Sequence, residues 1–136
     1  MLHELPRTEA IPELATITDA ESAAMARAVM RLFERWGVSD AEARDILGGL
    51  AARTYARWKA GEPGRIDRDL ATRLSLLMGI HKGLRYLFSD PERGYVWVKK
   101  PNRDFAGRTP VEVMAEGSLF ALARVRSYLD AERSGW

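Results

Sequence analysis

The side chains best suited to chemistry lie in one basic, alanine-rich stretch in the first half of the chain. Arg53 and Arg57 are four residues apart, so on a helix they share one face. A guanidinium can pair in bidentate fashion with guanine or bind a phosphate, and short neighbouring side chains allow close approach to a groove. The stretch therefore predicts a DNA-binding helix, whose candidate contact residues are Ala52, Arg53, Thr54, Arg57 and Lys59.

The sequence around this helix has the layout of a helix-turn-helix. A first helix ends at a pair of glycines, and the second helix then follows with Leu50, Tyr55 and Trp58 as apolar anchors. In this motif the second helix enters the DNA major groove. An ordinary helical hairpin with a solvated basic face is the alternative, because residues 40–73 carry seven basic but also six acidic side chains.

The composition does not indicate catalysis. The 136 residues include no Cys, and His3 and His81 are far apart in the sequence. Disulfides and thiolate metal sites are therefore excluded, and no catalytic constellation or phosphate-binding glycine loop is present. The net charge is only +2, so any contact with nucleic acid is expected to be local and supported by dimerisation. We expect a binding protein with no catalytic residue, metal ligand or cofactor.

Capping signals and apolar spacing predict an all-α fold with at most one short strand. Capping boxes of the type Ser/Thr-x-x-Glu begin at Thr18, Ser39 and Thr109, and Asp67 is a further N-cap. Apolar residues recur at helical spacing behind each of these positions and again in the last helix, which follows Ser118. These signals predict helices along most of the chain.

Two segments of the second half have patterns that interrupt this regularity. Gly79 and Gly83 lie inside a long apolar helical stripe, and we expect them to divide it into two helices. The run Tyr95-Val96-Trp97-Val98 is rich in residues that favour β-structure and predicts a short strand.

The start of the chain differs from the rest. Residues 1–17 contain Pro6 and Pro12 without helical periodicity, which predicts a flexible N-terminal arm. This segment lacks the pattern of a signal peptide, and no apolar run approaches the ~18 residues of a membrane span. We therefore expect a cytoplasmic protein without a membrane partner.

Three motifs in the last third of the chain resemble a known family. They are Trp97-Val98-Lys99-Lys100-Pro101-Asn102, Phe105-Ala106-Gly107-Arg108-Thr109-Pro110 and Tyr128-Leu129-Asp130. This pattern is similar to the toxin-binding domain of Xre/MbcA/ParS-type antitoxins. The resemblance extends back through the helix-turn-helix and covers the chain from about residue 20 onward.

The resemblance implies the antitoxin half of a type II toxin–antitoxin pair. The implied partner is a RES-domain toxin, related to ADP-ribosyltransferases, that consumes NAD. Residues 18–89 would form the Xre-like helix-turn-helix and dimerisation region, giving a homodimer that binds operator DNA and represses its own operon. Residues 90–136 would form a small helical toxin-binding domain whose C-terminal residues reach toward the toxin's active-site cleft.

The chain's end adds a physical reason for a C-terminal contact. Trp136 follows Ser134 and Gly135 without a local core, and an aromatic side chain on such a tether can anchor in a partner's pocket. The alternative is that Trp136 folds back on the last helix. The candidate toxin-binding residues are Arg126, Arg133, Ser134, Gly135 and Trp136.

The other positions of the C-terminal motifs are expected to be structural. They hold the loop that positions the last two helices, through turn-forming and apolar side chains. These positions are Trp97, Pro101, Asn102, Phe105, Gly107 and Pro110. Two other functions remain open from the residues alone: a stand-alone transcriptional regulator with a C-terminal ligand or dimerisation module, and an adaptor with a vestigial helix-turn-helix.

Overall fold

The computed structural model describes residues 17–134, which form seven α-helices and one short 3₁₀-helix. Of the predicted N-terminal arm only Ile17 is described, and it is half-buried. No helix in this part of the chain is both long and apolar enough to cross a membrane. The elements are α1 (Asp19–Trp36), α2 (Asp40–Ile46), α3 (Ala52–Lys59), α4 (Arg68–Leu87), α5 (Pro91–Trp97), the 3₁₀-helix (Arg103–Phe105), α6 (Pro110–Met114) and α7 (Leu119–Arg133).

Local side chains begin the helices, as the sequence predicts. The hydroxyls of Thr18, Ser39 and Thr109 each accept the backbone N–H of a glutamate three residues later, and that glutamate accepts the N–H of the cap residue in return. Asp67 accepts the N–H of Leu70 at 2.9 Å and so begins α4. Each of these bonds satisfies a backbone donor that has no partner inside the helix. The three capping boxes and the Asp67 cap are confirmed.

Helix α4 lies at the centre of the fold, where it packs against α1 and α7. The buried apolar side chains of the described residues form one cluster, to which every α-helix except α5 contributes directly. Phe33 of α1, Trp58 of α3, Leu77 of α4 and Leu122 of α7 are among its largest members. Because burying one such side chain contributes roughly 1.5–3 kcal/mol, this shared core is the main stabilising feature of the fold.

The predicted division of the long apolar stripe at Gly79 and Gly83 is wrong, because α4 is one continuous helix. A Cβ added at Gly83 would lie 3.3 Å from Cβ of Leu129, and one added at Gly79 would lie 2.7 Å from the guanidinium of Arg126. Both neighbours belong to α7. Gly83 therefore allows close contact between α4 and α7, which pack side by side in parallel, whereas Gly79 leaves room only for the end of the Arg126 side chain.

The predicted strand at residues 95–98 is also wrong, because α5 covers Tyr95 to Trp97 and Val98 is its C-cap residue. Asp90 caps this helix by accepting the N–H of Glu92. Pro91 occupies the first turn, where a backbone N–H would have no partner inside the helix, so the missing N–H of proline costs nothing. Gly94 then packs against Leu84 of α4. These capping and packing contacts outweigh the β-propensity of the run. The described residues contain no sheet, only an isolated bridge between Asn102 and Arg108, so the all-α prediction is confirmed.

A buried arginine connects the two halves of the chain. Arg73 Nε donates to a carboxylate oxygen of Asp69 at 2.8 Å, and its Nη1 donates to the carbonyl oxygens of Gly117 at 2.6 Å and Ile46 at 3.5 Å. Burying a charge is costly unless it is paired and hydrogen-bonded, and these acceptors meet that requirement. Arg73 thereby joins the end of α2 to the turn between α6 and α7.

Candidate nucleic-acid and partner interfaces

Helix α3 is attached to the rest of the molecule by its aromatic face. Tyr55 and Trp58 are buried, with 5% and 1% of their surface exposed, and α3 packs against α1. The preceding turn is closed by Arg44, whose Nε donates to the carbonyl of Leu50 at 2.7 Å. The predicted anchors thus hold α3, with Leu50 half-buried beside them.

The opposite face of α3 is basic and exposed. Arg53 and Arg57 are both exposed, and neither makes a side-chain hydrogen bond or ion pair with another described residue. Ala52 is exposed beside them, while Thr54 is half-buried. Two guanidinium groups on one helix face with short neighbours suit a phosphate or a guanine edge. All five DNA-binding candidates therefore lie on one helix, with the two arginines exposed to solvent.

Lys59, the fifth candidate, has an internal partner. Its Nζ lies 3.1 Å from a carboxylate oxygen of Asp40 at the start of α2 and 5.7 Å from the ring centroid of Tyr55. Burial, and secondarily the charge of Asp40, raises the pKa of the Tyr55 hydroxyl. Because Lys59 and Asp40 are both exposed, their ion pair is weak, and Lys59 could exchange it for a phosphate at little cost.

An aromatic cluster organises the C-terminal motifs. The ring of Tyr128 stacks on Trp97 at a centroid distance of 6.0 Å and meets Phe105 at 5.1 Å. The Tyr128 hydroxyl donates to Asp104 at 3.0 Å. Burial, followed by this hydrogen bond, raises the pKa of the Tyr128 hydroxyl, while a bond to Asn102 opposes the shift. The motifs from three separate segments thus meet at one place, and Phe105 is buried there.

The loop between α5 and α6 is held by turn chemistry, as the sequence predicts for Asn102 and Pro110. Asn102 Oδ1 accepts the N–H of Asp104 at 2.8 Å, and Pro110 is the buried first residue of α6. Gly107 has φ +83°, in the left-handed region that favours glycine. Trp97 is half-buried in the aromatic cluster, whereas Pro101 is exposed. These positions fix the path of the loop toward α6 and α7.

The candidate toxin-binding residues lie along α7 and at its end. Arg126 lies against the surface of α4 at Gly79, and the guanidinium of Arg133 lies 4.5 Å from the ring centroid of Tyr86, also on α4. Ser134 caps α7 through its backbone N–H. Gly135 and Trp136 fall outside the described residues. Two of the predicted contacts therefore have packing partners within the chain.

Sequence reasoning missed two surface features. Tyr86 and Phe120 are large apolar side chains with 68% and 78% of their surface exposed. The second feature is a basic groove between α1, α4 and α5, lined by Arg31, Arg35, His81, Arg85 and Tyr95. The sequence contains a signal for this groove, because Arg31 and Arg35 on α1, and His81 and Arg85 on α4, are each spaced four residues apart.

Residues 17–134 contain no group of three or more His, Asp or Glu side chains arranged to hold a metal ion. The fold and the exposed basic face of α3 define a helix-turn-helix protein with a second helical region packed on its central helix. Comparison with known proteins then identifies its family. Residues 15–79 match the antitoxin Xre-like helix-turn-helix domain, and residues 83–135 match the antitoxin Xre/MbcA/ParS C-terminal toxin-binding domain.

The chain is also similar to a protein of comparable length. The uncharacterized protein y4oB of Sinorhizobium fredii (strain NBRC 101917 / NGR234) is 36% identical over 108 residues, which cover 79% of this chain and 83% of the relative. No solved structure gives a significant match. The chain belongs to the Xre family of antitoxins, which combine a helix-turn-helix domain with a toxin-binding domain and are not enzymes.

Proposed function

We propose that this antitoxin neutralises a RES-domain, NAD-consuming toxin by direct binding and represses its own operon through α3. The observation that carries the proposal is the match of residues 83–135 to a toxin-binding domain whose motifs converge on Tyr128. The identity of the toxin rests on the resemblance of these motifs to antitoxins of RES-type systems. Operon repression would place the protein in the cytoplasm, where operator DNA is found.

The end of α7 is the proposed toxin contact. Arg133 and Tyr86 form an exposed pair where α7 ends, and Ser134, Gly135 and Trp136 continue from that point. Aromatic and arginine side chains are enriched among residues that dominate binding energy. Arg126 precedes Arg133 on α7 and would lie at the rim of the same contact.

The exposed face of α3 is the proposed operator contact. Arg53 and Arg57 are presented without internal partners in the described chain, as expected for groups that pair with bases or phosphates. Because 19 Asp and Glu side chains nearly balance the 21 Lys and Arg side chains, one copy presents little net positive charge to DNA. A homodimer formed by residues 18–89 would place two α3 helices on two half-sites and so supply the missing affinity.

The toxin contact is tested by measuring NAD consumption by a RES-domain toxin encoded beside this gene. The toxin is assayed alone, with the full chain, and with a chain that ends at Ser134. This truncation keeps α7 and its terminal hydrogen bonds, because the helix ends at Arg133. A second truncation, after Ala131, also removes Arg133 from Tyr86 and isolates the contribution of that pair.

Each outcome decides one part of the proposal. Inhibition by the full chain, but not by the chain ending at Ser134, supports a tail contact. Inhibition by all three forms retains the antitoxin and overturns the tail contact. If the full chain neither binds nor inhibits the toxin, the RES assignment is overturned, and the exposed α3 arginines favour a stand-alone transcriptional regulator.

A further inference from the structure

The groove between α1, α4 and α5 gathers three arginines, a histidine and a tyrosine from separate helices. Arg31 and Arg35 come from α1, His81 and Arg85 from α4, and Tyr95 from α5. The groove encloses about 260 Å³, and no Asp or Glu of the described chain lines it. Its apolar floor is provided by Ala28, Leu32 and Met78.

This absence of carboxylates contrasts with the surroundings of several other basic side chains of the described chain. Elsewhere, Arg73 is paired with Asp69, Arg108 with Glu116 and Lys59 with Asp40. In the groove, the one side-chain hydrogen bond of an arginine runs from Arg35 to the Tyr95 hydroxyl at 3.5 Å. Like charges held near one another repel, and an anion placed between them would remove this repulsion.

We propose that this groove binds a phosphate group, either as inorganic phosphate or as a small phosphate monoester. A phosphate dianion offers two charges and several acceptor oxygens to guanidinium forks approaching from α1 and α4, whereas a single carboxylate offers one charge and two oxygens. The Tyr95 hydroxyl is a further donor at the rim.

The electrostatics of His81 agree with this geometry. Burial, and secondarily the charge of Arg85, lowers the pKa of the His81 imidazole. The charged and titratable groups that share the groove with it are Arg31 and Arg35 on α1, Arg85 on its own helix and Tyr95 on α5. A bound phosphate would counter the positive field of these arginines and raise the pKa of His81.

The groove is lined by residues from both of the regions that match known domains. Arg31 and Arg35 belong to the part of the chain that matches the helix-turn-helix domain, and Arg85 and Tyr95 belong to the part that matches the toxin-binding domain. None of the lining residues lies on α3 or α7. A phosphate here would contact both matched regions without occupying the proposed operator or toxin contacts.

The binding experiment uses the full chain at low ionic strength in chloride-matched buffer. Inorganic phosphate, adenosine monophosphate, a tetraglutamate peptide and a short DNA duplex are titrated by calorimetry into the wild type, into Arg35→Gln/Arg85→Gln, and into Lys100→Gln/Arg103→Gln. The last variant is the matched control, because it loses the same charge at exposed positions outside the groove. We expect phosphate affinity to fall about tenfold or more in the groove variant and to stay unchanged in the control.

The four probes separate the possible sources of the anion. Tighter binding of adenosine monophosphate than of inorganic phosphate identifies a monoester, and the reverse identifies free phosphate. Equal phosphate affinity in all three proteins overturns the proposal. Groove-dependent binding of tetraglutamate or DNA, with none of either phosphate probe, overturns it in favour of an acidic protein segment or a nucleic-acid backbone.

A second measurement does not depend on the folding of the groove variant. In a His3→Gln chain, His81 is the only imidazole, and its pKa is followed by NMR with and without phosphate. A rise in the pKa of His81 at phosphate concentrations that saturate the calorimetric titration supports the site. An unchanged pKa of His81 under those conditions excludes phosphate from the groove.

Discussion

Helices α3 and α7 both carry candidate contact residues, but the fold holds the two sets differently. On α3, the anchoring residues Tyr55 and Trp58 lie on one face, and Arg53 and Arg57 lie on another without internal partners in the described chain. On α7, the candidate contacts also pack within the molecule, against Gly79 and Tyr86 of α4. A substitution on α3 can therefore remove a candidate DNA contact without disturbing the packing of the fold. On α7, a substitution changes a candidate toxin contact and the packing against α4 together.

The largest effect is expected from removing both α3 arginines. In Arg53→Ala/Arg57→Ala, each lost base or phosphate contact costs about 1–3 kcal/mol, so affinity for a duplex from the promoter of this gene should fall roughly 30-fold or more. The melting temperature should stay unchanged, because exposed substitutions away from packing contacts typically shift stability by less than about 0.5 kcal/mol. Fluorescence anisotropy and thermal unfolding measure the two quantities.

A matched double variant separates local contact from overall charge. Lys100→Ala/Arg103→Ala removes the same charge from the exposed loop before α6, and it should retain nearly full DNA affinity. If the α3 variant binds DNA as tightly as this control does, α3 is not the recognition helix. If the α3 variant unfolds at a lower temperature, function and stability are not separable there.

The next largest effect is expected in the turn that connects the two helices of the motif. Gly48 and Gly49 have φ +85° and +87°, but a Cβ at Gly48 would lie 2.7 Å from the guanidinium carbon of Arg73, and one at Gly49 would contact nothing within 4 Å. Gly49→Ala should therefore cost only the left-handed backbone penalty of about 1–2 kcal/mol. Gly48→Ala should cost about 3–5 kcal/mol, because it also displaces a buried charge from its acceptors.

This pair of variants also tests whether the two halves of the chain are coupled. Arg73 reaches Gly117 in the C-terminal half, so its displacement should weaken both halves together. Urea unfolding monitored by tryptophan fluorescence and by circular dichroism should give one coincident transition for each variant. Equal destabilisation by both substitutions would show that Arg73 contributes nothing beyond the local backbone.

The difference between the two helices also explains what the sequence could predict. Capping boxes such as Ser39–Glu42 act within four residues, so their effect is visible in the sequence, and the starts of α1, α2 and α6 are predicted correctly. The aromatic anchors of α3 follow from helical periodicity in the same way. Local sequence patterns predict which side chains of α3 are buried, because its apolar and basic side chains lie on different faces of one helix.

Long-range packing accounts for the errors. Gly79 was interpreted as a helix breaker, since nothing in its neighbourhood shows that Arg126 lies across it. The run at residues 95–98 was interpreted as a strand, because its β-propensity is local whereas the contact of Gly94 with Leu84 is not. The hydrogen bond from Arg73 to Gly117 spans 44 positions. Such contacts depend on which helices meet, and a single sequence does not show this.

A small, stabilising effect is expected at Gly79. A Cβ there meets only the flexible end of Arg126, which can swing away, so Gly79→Ala gains helix propensity of about 0.5–1 kcal/mol. The same change moves a candidate toxin contact without unfolding the protein. Thermal unfolding measures the first effect and toxin titration the second, with Arg126→Ala as the reference for loss of the side chain.

Toxin binding by the two variants shows whether Arg126 contributes to the toxin contact. Weaker toxin binding by both variants shows that the position of the Arg126 side chain against α4 is part of the toxin contact. Unchanged toxin binding by both removes Arg126 from the contact and leaves the end of α7 as the candidate. A loss of stability in Gly79→Ala would instead show that Arg126 cannot move and that the α4–α7 contact is rigid at this point.

The smallest effect concerns the pH dependence of stability at His81, which lies between the two regions. The pKa of His81 is lowered in the folded chain, so below its ordinary value of about 6.5 the unfolded chain binds a proton that the folded chain does not. Stability should therefore be constant above this pH and fall as the pH drops through the folded pKa. Because His81 is only partly buried, solvent screening keeps the loss of stability below about 1 kcal/mol.

Urea unfolding measures this pH dependence between pH 7.5 and 5 in phosphate-free buffer, at roughly half-unit steps around the ordinary histidine pKa. The free energy of unfolding of the wild type should depend on pH with a slope that His81→Gln reduces. Equal slopes in both proteins would mean that carboxylates alone set the acid sensitivity and that the folded chain does not lower the pKa of His81.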